Sequence, residues 1–324
     1  MIILIDKYVP FIQGVLEPYA EVSYLEPEEF TPERVHDADA LIIRTRTRCN
    51  AALLDGSRVR FIATATIGYD HIDRDYCAAH GIYWTNSPGC NAQAVCDYVE
   101  EAINYLSSVA TSAAPATIGV VGVGHVGSLV AKMAERKGLR VLLNDPPKGI
   151  GVSLDEIARK CDIITFHTPL VKGDAPYPTY HLCNAAFLAQ CKPGAVIINA
   201  ARGGIVDEAA LVASGHPCII DTWEGEPNLN PVLLGYAQLA TYHIAGYSLQ
   251  GKINATNNCL SALSREWALP LLKADAPIEQ GEGTPLSHTS GPGDSAPGWL
   301  CRISEQLKSR PADFETLRET YPLR

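Results

Sequence analysis

The sequence predicts an α/β protein of two doubly wound parallel-sheet units with a short C-terminal tail. Three observations carry this. Short runs that are apolar throughout alternate with helix-patterned stretches from end to end of the chain. Such runs suit parallel strands covered on both faces. The alternation occurs as two series, parted by the breaker Ser87-Pro88-Gly89. The length, 324 residues, allows two domains at roughly 150 residues each.

In the first series the strands are Ile2–Ile5, Ala40–Ile43, Arg60–Ala63 and Ile82–Trp84, with helices over Pro10–Tyr19, Thr31–His36 and Ile72–Ala79. A long helix is expected over Asn91–Ala110. The second series has strands Thr117–Val121, Arg140–Asn144, Asp162–Phe166, Ala195–Asn199, Cys218–Ile220 and Leu239–Ile244. The helix Leu249–Leu263 follows and can return the chain to the first unit. This divides the chain into 1–90 plus 250–265, 91–249, and a tail over 266–324. Within the tail, eleven of the eighteen residues 281–298 are Gly, Pro or Ser, a loop composition. Two short helices, Leu300–Lys308 and Ala312–Thr320, come after it.

Composition excludes several classes. Hydrophobic residues make up 47% and charged residues 19%, which is ordinary for a globular chain and too apolar for a disordered one. The net charge of −10 disfavours general nucleic-acid binding. No apolar run reaches membrane-spanning length, and Met1–Asp6 reads as a buried strand rather than a signal peptide. The ten cysteines form no C-x-x-C pair and no zinc spacing. The expectation is a reduced, cytoplasmic protein with neither disulfide nor metal.

Gly122-Val123-Gly124-His125-Val126-Gly127 is a G-x-G-x-x-G turn. Alone it is weak evidence. Here it follows a strand and opens a helix expected over Ser128–Lys137. The first glycine allows the turn, the second lets a pyrophosphate approach the backbone, and the third lets helix and strand pack closely. Asp145 lies 18 residues beyond Gly127, where a carboxylate binds a ribose diol and repels a 2′-phosphate. NAD is therefore the expected cofactor.

Ligands of open parallel sheets bind beyond the carboxyl ends of the strands. There the sequence places His167-Thr168, Ala200-Ala201-Arg202-Gly203-Gly204, Asp221–Pro227 and His243–Tyr247. Taking hydride from a secondary alcohol also requires removing the hydroxyl proton. A histidine suits that role, a carboxylate behind it fixes the tautomer, and a guanidinium holds a substrate carboxylate. His243, Glu226 and Arg202 fit, with His167 the main rival for the base. Each residue alone has an ordinary structural explanation; their convergence behind one nucleotide motif favours catalysis. After the strand Ala40–Ile43 comes Arg44-Thr45-Arg46-Thr47-Arg48. If extended, its arginines share one side and suit an anionic substrate.

The glycine turn, Asp145, the Ala-Arg-Gly-Gly run with Val206-Asp207, the Asp-x-Trp-x-x-Glu-Pro run and the late histidine together resemble the D-isomer-specific 2-hydroxyacid dehydrogenases. The resemblance covers residues 1 to about 265. It implies a flavodoxin-like substrate domain, a Rossmann NAD-binding domain, and NAD-linked oxidation of a small phosphorylated hydroxyacid. It implies Arg202, Glu226 and His243 in the active site, with His243 as acid/base. It implies substrate contacts from Thr45, Thr66 and Tyr247. Cofactor contacts would come from Asp145, Thr168, Asp221 and Gly246, beside Gly122, Gly124, His125, Val126, Gly127 and Ala200. It further implies a homodimer, with residues 266–324 as a dimerisation domain shorter than expected. Tyr242 stands where the family usually has proline. Two alternatives stay open: a sister dehydrogenase acting on 3-phosphoglycerate or glyoxylate/hydroxypyruvate, and a nucleotide-sensing protein like the family's corepressors.

Overall fold

The computed structural model describes residues 1–110, 115–275 and 298–322. These residues form two compact units, one from 1–91 with 248–275 and one from 92–247 with 298–322. Most of the Gly/Pro/Ser-rich stretch 281–298 lies outside the described residues.

The first unit is built on strands β1 (Ile2–Asp6), β2 (Glu21–Leu25), β3 (Ala40–Ile43), β4 (Phe61–Thr64) and β5 (Tyr83–Thr85). They run parallel in the order β2-β1-β3-β4-β5, the flavodoxin-like order. Alternate residues serve opposite faces. Ile3, Ile5, Ile42, Phe61 and Ala63 pack with Cys259, Leu260 and Leu263 of α10 (Leu249–Glu266). Leu4, Leu41, Ile43 and Ile62 form a core with Val35, Leu53, Leu54 and Cys77. Those residues belong to α1 (Pro32–Val35), α2 (Ala51–Leu54) and α3 (Arg74–Ala79).

The helix expected over Pro10–Tyr19 does not form. The segment is a chain of turns, with Phe11 at φ 61° and Gly14 at φ 83°. Pro10 and Pro18 bracket it, and proline cannot donate to a helix ladder. β2 follows it at the sheet edge. Its half-exposed Glu-Val-Ser-Tyr-Leu pattern lacks the apolar continuity that marked the other strands.

The second unit begins with α4 (Ala92–Val109) and carries β6 (Thr117–Val121), α5 (His125–Arg136), β7 (Arg140–Asp145), β8 (Ile150–Gly151), α6 (Leu154–Lys160) and β9 (Ile163–Phe166). Then come α7 (Ala185–Leu188), β10 (Val196–Asn199), α8 (Glu208–Ser214), β11 (Cys218–Ile220), α9 (Pro231–Tyr236) and β12 (Leu239–Ala240). The tail adds α11 (Trp299–Ser309) and α12 (Phe314–Glu319). The strand order is β12-β11-β10-β9-β6-β7-β8, parallel except for β8. The chain reverses direction in the sheet between β6 and β9, the position where doubly wound sheets bind ligands. β8 is a two-residue antiparallel edge, because the stretch after Asp145 is too short for a crossover helix.

Among the boundaries that differ from expectation, two bear on the site. α5 starts at His125 rather than Ser128, directly from its N-cap Gly124. β12 ends at Ala240 rather than Ile244, and the chain turns away into a loop over 241–247. The tail helices pack on this side of the second unit. Ser304 of α11 accepts a hydrogen bond from the Ala240 N–H at 2.9 Å, which occupies an otherwise open strand edge.

Candidate active site

The second unit gathers its candidate residues at the carboxyl ends of β6, β7, β9, β10, β11 and β12. The glycine turn after β6 is shaped by contacts that no side chain could share. Gly122 has φ 91°, and a Cβ there would lie 2.8 Å from the His167 carbonyl. A Cβ on Gly127 would lie 1.9 Å from Gly122 O. Gly124, by contrast, faces open space, with nothing within 4 Å of a Cβ. It caps α5, whose first residues are His125 and Val126. The turn thus offers backbone N–H groups and a helix N-terminus to an anion.

Asp145, at the end of β7, is buried and accepts the Val123 N–H at 2.8 Å. Lys148 Nζ donates to Val123 O at 2.7 Å and lies 3.5 Å from the Asp145 carboxylate. Thr168 and Thr222, beyond β9 and β11, each bury a hydroxyl without a hydrogen-bond partner. Buried polar atoms usually find partners. Two orphan hydroxyls, an open Gly124 and a buried acid therefore fit a dinucleotide well.

On β10's loop, Asn199 Nδ2 donates to Arg202 O at 3.0 Å, and Arg202 Nη1 donates to Ala201 O at 2.7 Å. Among the described residues no carboxylate pairs with the Arg202 guanidinium. Ala200 is buried at the base of the loop. A Cβ on Gly203 would lie 1.9 Å from Trp223 O, so this loop and the one after β11 are in direct backbone contact.

His243 Nδ1–H donates to Glu226 Oε2 at 2.7 Å, which leaves Nε2 as the ring's basic atom. Glu226 Oε1 accepts the Trp223 N–H at 2.7 Å. Burial alone would raise the Glu226 carboxyl, but the bond to His243, the Trp223 N–H and the nearby Arg318 charge outweigh it and hold it below the usual range. His243 has φ 58°, and its loop is held by buried Asp221. Asp221 Oδ1 accepts from Thr241 Oγ1 at 2.6 Å and Ile244 N–H at 2.8 Å, and Oδ2 accepts from Ala245 N–H at 3.0 Å. Most of Asp221's accepting capacity is therefore spent on the loop that ends at Gly246 and Tyr247. The rival His167 bonds Thr165 Oγ1 at 3.0 Å, and burial pushes its imidazolium down to about 3.

Sequence reasoning missed the tail's part in this edge. Tyr321 packs edge-on against Tyr242 and Tyr247, with ring centroids 5.9 and 6.4 Å apart. Arg318 lies over the Tyr247 ring at 5.8 Å, with a buried Nε that has no partner. Tyr242, in place of a proline, is what the tail packs on, and it bonds Gln306 at 3.2 Å. No spacing in the sequence links residues so far apart.

The first unit places Thr45, Arg44 and Arg46 after β3, and Thr66 after β4. Here one expectation fails. Thr47 N–H donates to Arg44 O at 3.3 Å, closing a turn, so Arg44, Arg46 and Arg48 do not alternate along an extended strand. Asp6 at the end of β1 is raised by burial against the pull of Arg44 and Arg46. Burial and Arg44 together lower Lys252 of α10, a cation the sequence reading overlooked. Thr66 Oγ1 bonds Thr64 Oγ1 at 2.7 Å and donates to Gly68 O at 2.9 Å; His71 joins at Thr64, 3.1 Å away.

Residues 96–245 match the model of the D-isomer specific 2-hydroxyacid dehydrogenase NAD-binding domain. An erythronate-4-phosphate dehydrogenase of Bacteroides fragilis is 45% identical over 100% of this chain and 97% of its own length. The short tail is thus shared with that relative. One of Porphyromonas gingivalis is 43% identical over 99% of this chain and 92% of its own. Among solved structures, the NAD+-bound 3-phosphoglycerate dehydrogenase of Entamoeba histolytica superposes with a TM-score of 0.69 at 25% identity, covering 83% of this chain and 95% of that one. The chain belongs to the D-isomer-specific 2-hydroxyacid dehydrogenase family and, within it, groups with the erythronate-4-phosphate dehydrogenases.

Proposed function

We propose that this chain oxidises 4-phospho-D-erythronate to 2-oxo-3-hydroxy-4-phosphobutanoate with NAD, a step of pyridoxal 5′-phosphate synthesis. The observation that carries the chemistry is the 2.7 Å pair of His243 and Glu226, set on a loop held by Asp221. When bound, NAD would supply the acceptor for the hydride that leaves the substrate's C2. His243 Nε2 takes the hydroxyl proton as that C–H bond breaks and the C=O forms. Ionised Glu226 stabilises the imidazolium that results. Arg202, paired with no carboxylate among the described residues, holds the substrate carboxylate and polarises the forming carbonyl. His167 is a poor rival base, since it stays neutral and weakly basic at physiological pH. Thr168, Ala200, Asp221 and Gly246 would hold the cofactor, and the Asp145 carboxylate would accept from its ribose hydroxyls.

The substrate reading is supported by the full-length relatives and by the cations at hand. Thr45, Thr66 and Tyr247 contact the substrate, with Arg44 and Arg46 serving its phosphate. The enzyme acts as a homodimer in the cytoplasm, a compartment that suits its ten free thiols. The test is a panel of 2-hydroxyacids with NAD, read as NADH formed, for the parent and Arg46→Ala. The reading expects 4-phospho-D-erythronate to give the highest kcat/KM. It expects Arg46→Ala to raise KM for that acid more than for unphosphorylated erythronate. Preference for 3-phosphoglycerate or for glyoxylate/hydroxypyruvate chemistry overturns the substrate assignment, and equal loss on both acids overturns the role of Arg46.

A further inference from the structure

Two carboxylates two residues apart, Glu224 and Glu226, each hold a histidine. Glu226 holds His243. Glu224 holds His181, whose Nε2–H donates to Glu224 Oε2 at 2.8 Å. His181 belongs to no motif and lies on the segment between β9 and α7. Its surroundings are dense. Tyr180 OH donates to the other Glu224 oxygen at 2.8 Å, and the Tyr180 ring stacks on His181 with centroids 3.9 Å apart. His181 Nδ1 lies 3.7 Å from Asp207 Oδ2, and its N–H donates to Gly204 O at 2.7 Å. The Glu224 N–H donates to Glu208 Oε1 at 2.7 Å. His181 adopts φ 51°, a left-handed conformation that an L side chain takes only at a cost.

These bonds join three loops. Arg202 stands two residues before Gly204, and Glu226 two residues after Glu224. The loops carrying Arg202 and Glu226 already touch where Gly203 meets Trp223 O. Beside that contact and the Glu224 N–H bond to Glu208, His181 adds a further tie: its backbone N–H holds Gly204 O, while its imidazole bonds Glu224 and lies 3.7 Å from Asp207.

We propose that His181 is a positioning residue for hydride transfer, fixing the Arg202 guanidinium relative to the Glu226–His243 pair. This rests on the catalytic reading of those three residues. A brace that served stability alone would change the thermal midpoint and leave turnover by the folded enzyme unaltered. A brace that sets catalytic geometry changes kcat.

The experiment compares His181→Leu with His181→Gln in the full chain, oxidising 4-phospho-D-erythronate with NAD. Both variants bear the same left-handed backbone, but only Gln keeps a donor for Glu224. His181→Leu should lose about 10–100-fold in kcat, since a misplacement of about 1 Å costs on that order, while KM for NAD stays within about twofold. His181→Gln should recover most of that loss. Glu224→Gln should lower kcat by about tenfold, and the double variant should be no slower than His181→Leu alone. Parental kcat in His181→Leu overturns the proposal, as does His181→Gln no faster than His181→Leu, or additive losses in the double variant. Should His181→Leu not fold, Glu224→Gln decides alone, and an unchanged kcat there overturns the proposal. Turnover retained by His243→Ala would overturn the catalytic reading instead, so the two failures are told apart.

Discussion

At the residue scale, the proposed catalysis turns on the Nδ1–H that His243 donates to Glu226. The carboxylate fixes the imidazole's tautomer, so Glu226→Gln should cost about 10²–10⁴-fold in kcat with KM for NAD little changed. Steady-state rates on the folded variant check this. A second expectation concerns His167, whose folded-state value is pushed below the ordinary one. Its neutral form is favoured by folding, so its contribution is present above about pH 6.5 and is lost as pH falls from there through the lowered folded value. His167→Asn should therefore flatten the decline of thermal stability below about pH 6.5, measured by calorimetry across that range. The glycines, Asp145, Arg202 and Glu226 were readable in the sequence as candidates because each follows a strand end that hydrophobic runs reveal, whereas His243, expected within the strand Leu239–Ile244, lies in the loop after β12. His181, Lys252 and Arg318 were not readable. Their partners are brought near by loops and helices with no local pattern.

At the scale of elements, the phosphate turn yields paired substitutions with opposite outcomes. Gly127→Ala puts a methyl against Gly122 O, a contact that must displace backbone. It should cost roughly 1–3 kcal/mol, as overpacking does, and abolish cofactor binding. Gly124→Ala meets open space, so the thermal midpoint should hold while NADH affinity falls, as fluorescence titration would show. The tail gives another prediction. Arg318 lies over Tyr247 and near Glu226, so Arg318→Ala should raise KM for the hydroxyacid several-fold, roughly the loss of one charge-assisted contact. KM for NAD should stay put. The central strands were legible because a strand buried on both faces is apolar at every position. β2 and β8 were not. One is a half-exposed edge strand and the other has two residues. The Pro10–Tyr19 segment misled because its apolar spacing mimics a helical face while its prolines and Gly14 enforce turns.

At the scale of the whole molecule, a net charge of −10 argues against broad affinity for polyanions, yet binding is decided locally. Arg44, Arg46 and Lys252 gather in one unit, and Arg202 and Arg318 stand in the other. Each group can receive an anion within an acidic protein. Among the described residues no helix is long and apolar enough to cross a membrane. Two α/β units, one built around a dinucleotide turn and one around a flavodoxin-like sheet, follow from the two apolar series in the sequence. The role of the tail follows only from its packing against Tyr242 and Tyr247. The central claim is that His243, paired with Glu226, removes the proton as hydride leaves 4-phospho-D-erythronate. The most direct measurement is NADH formation from that acid by the parent chain and by His243→Ala at equal cofactor saturation. The account predicts steady turnover by the parent and a loss of about 10²–10⁴-fold in the variant. Undiminished turnover by His243→Ala would contradict it.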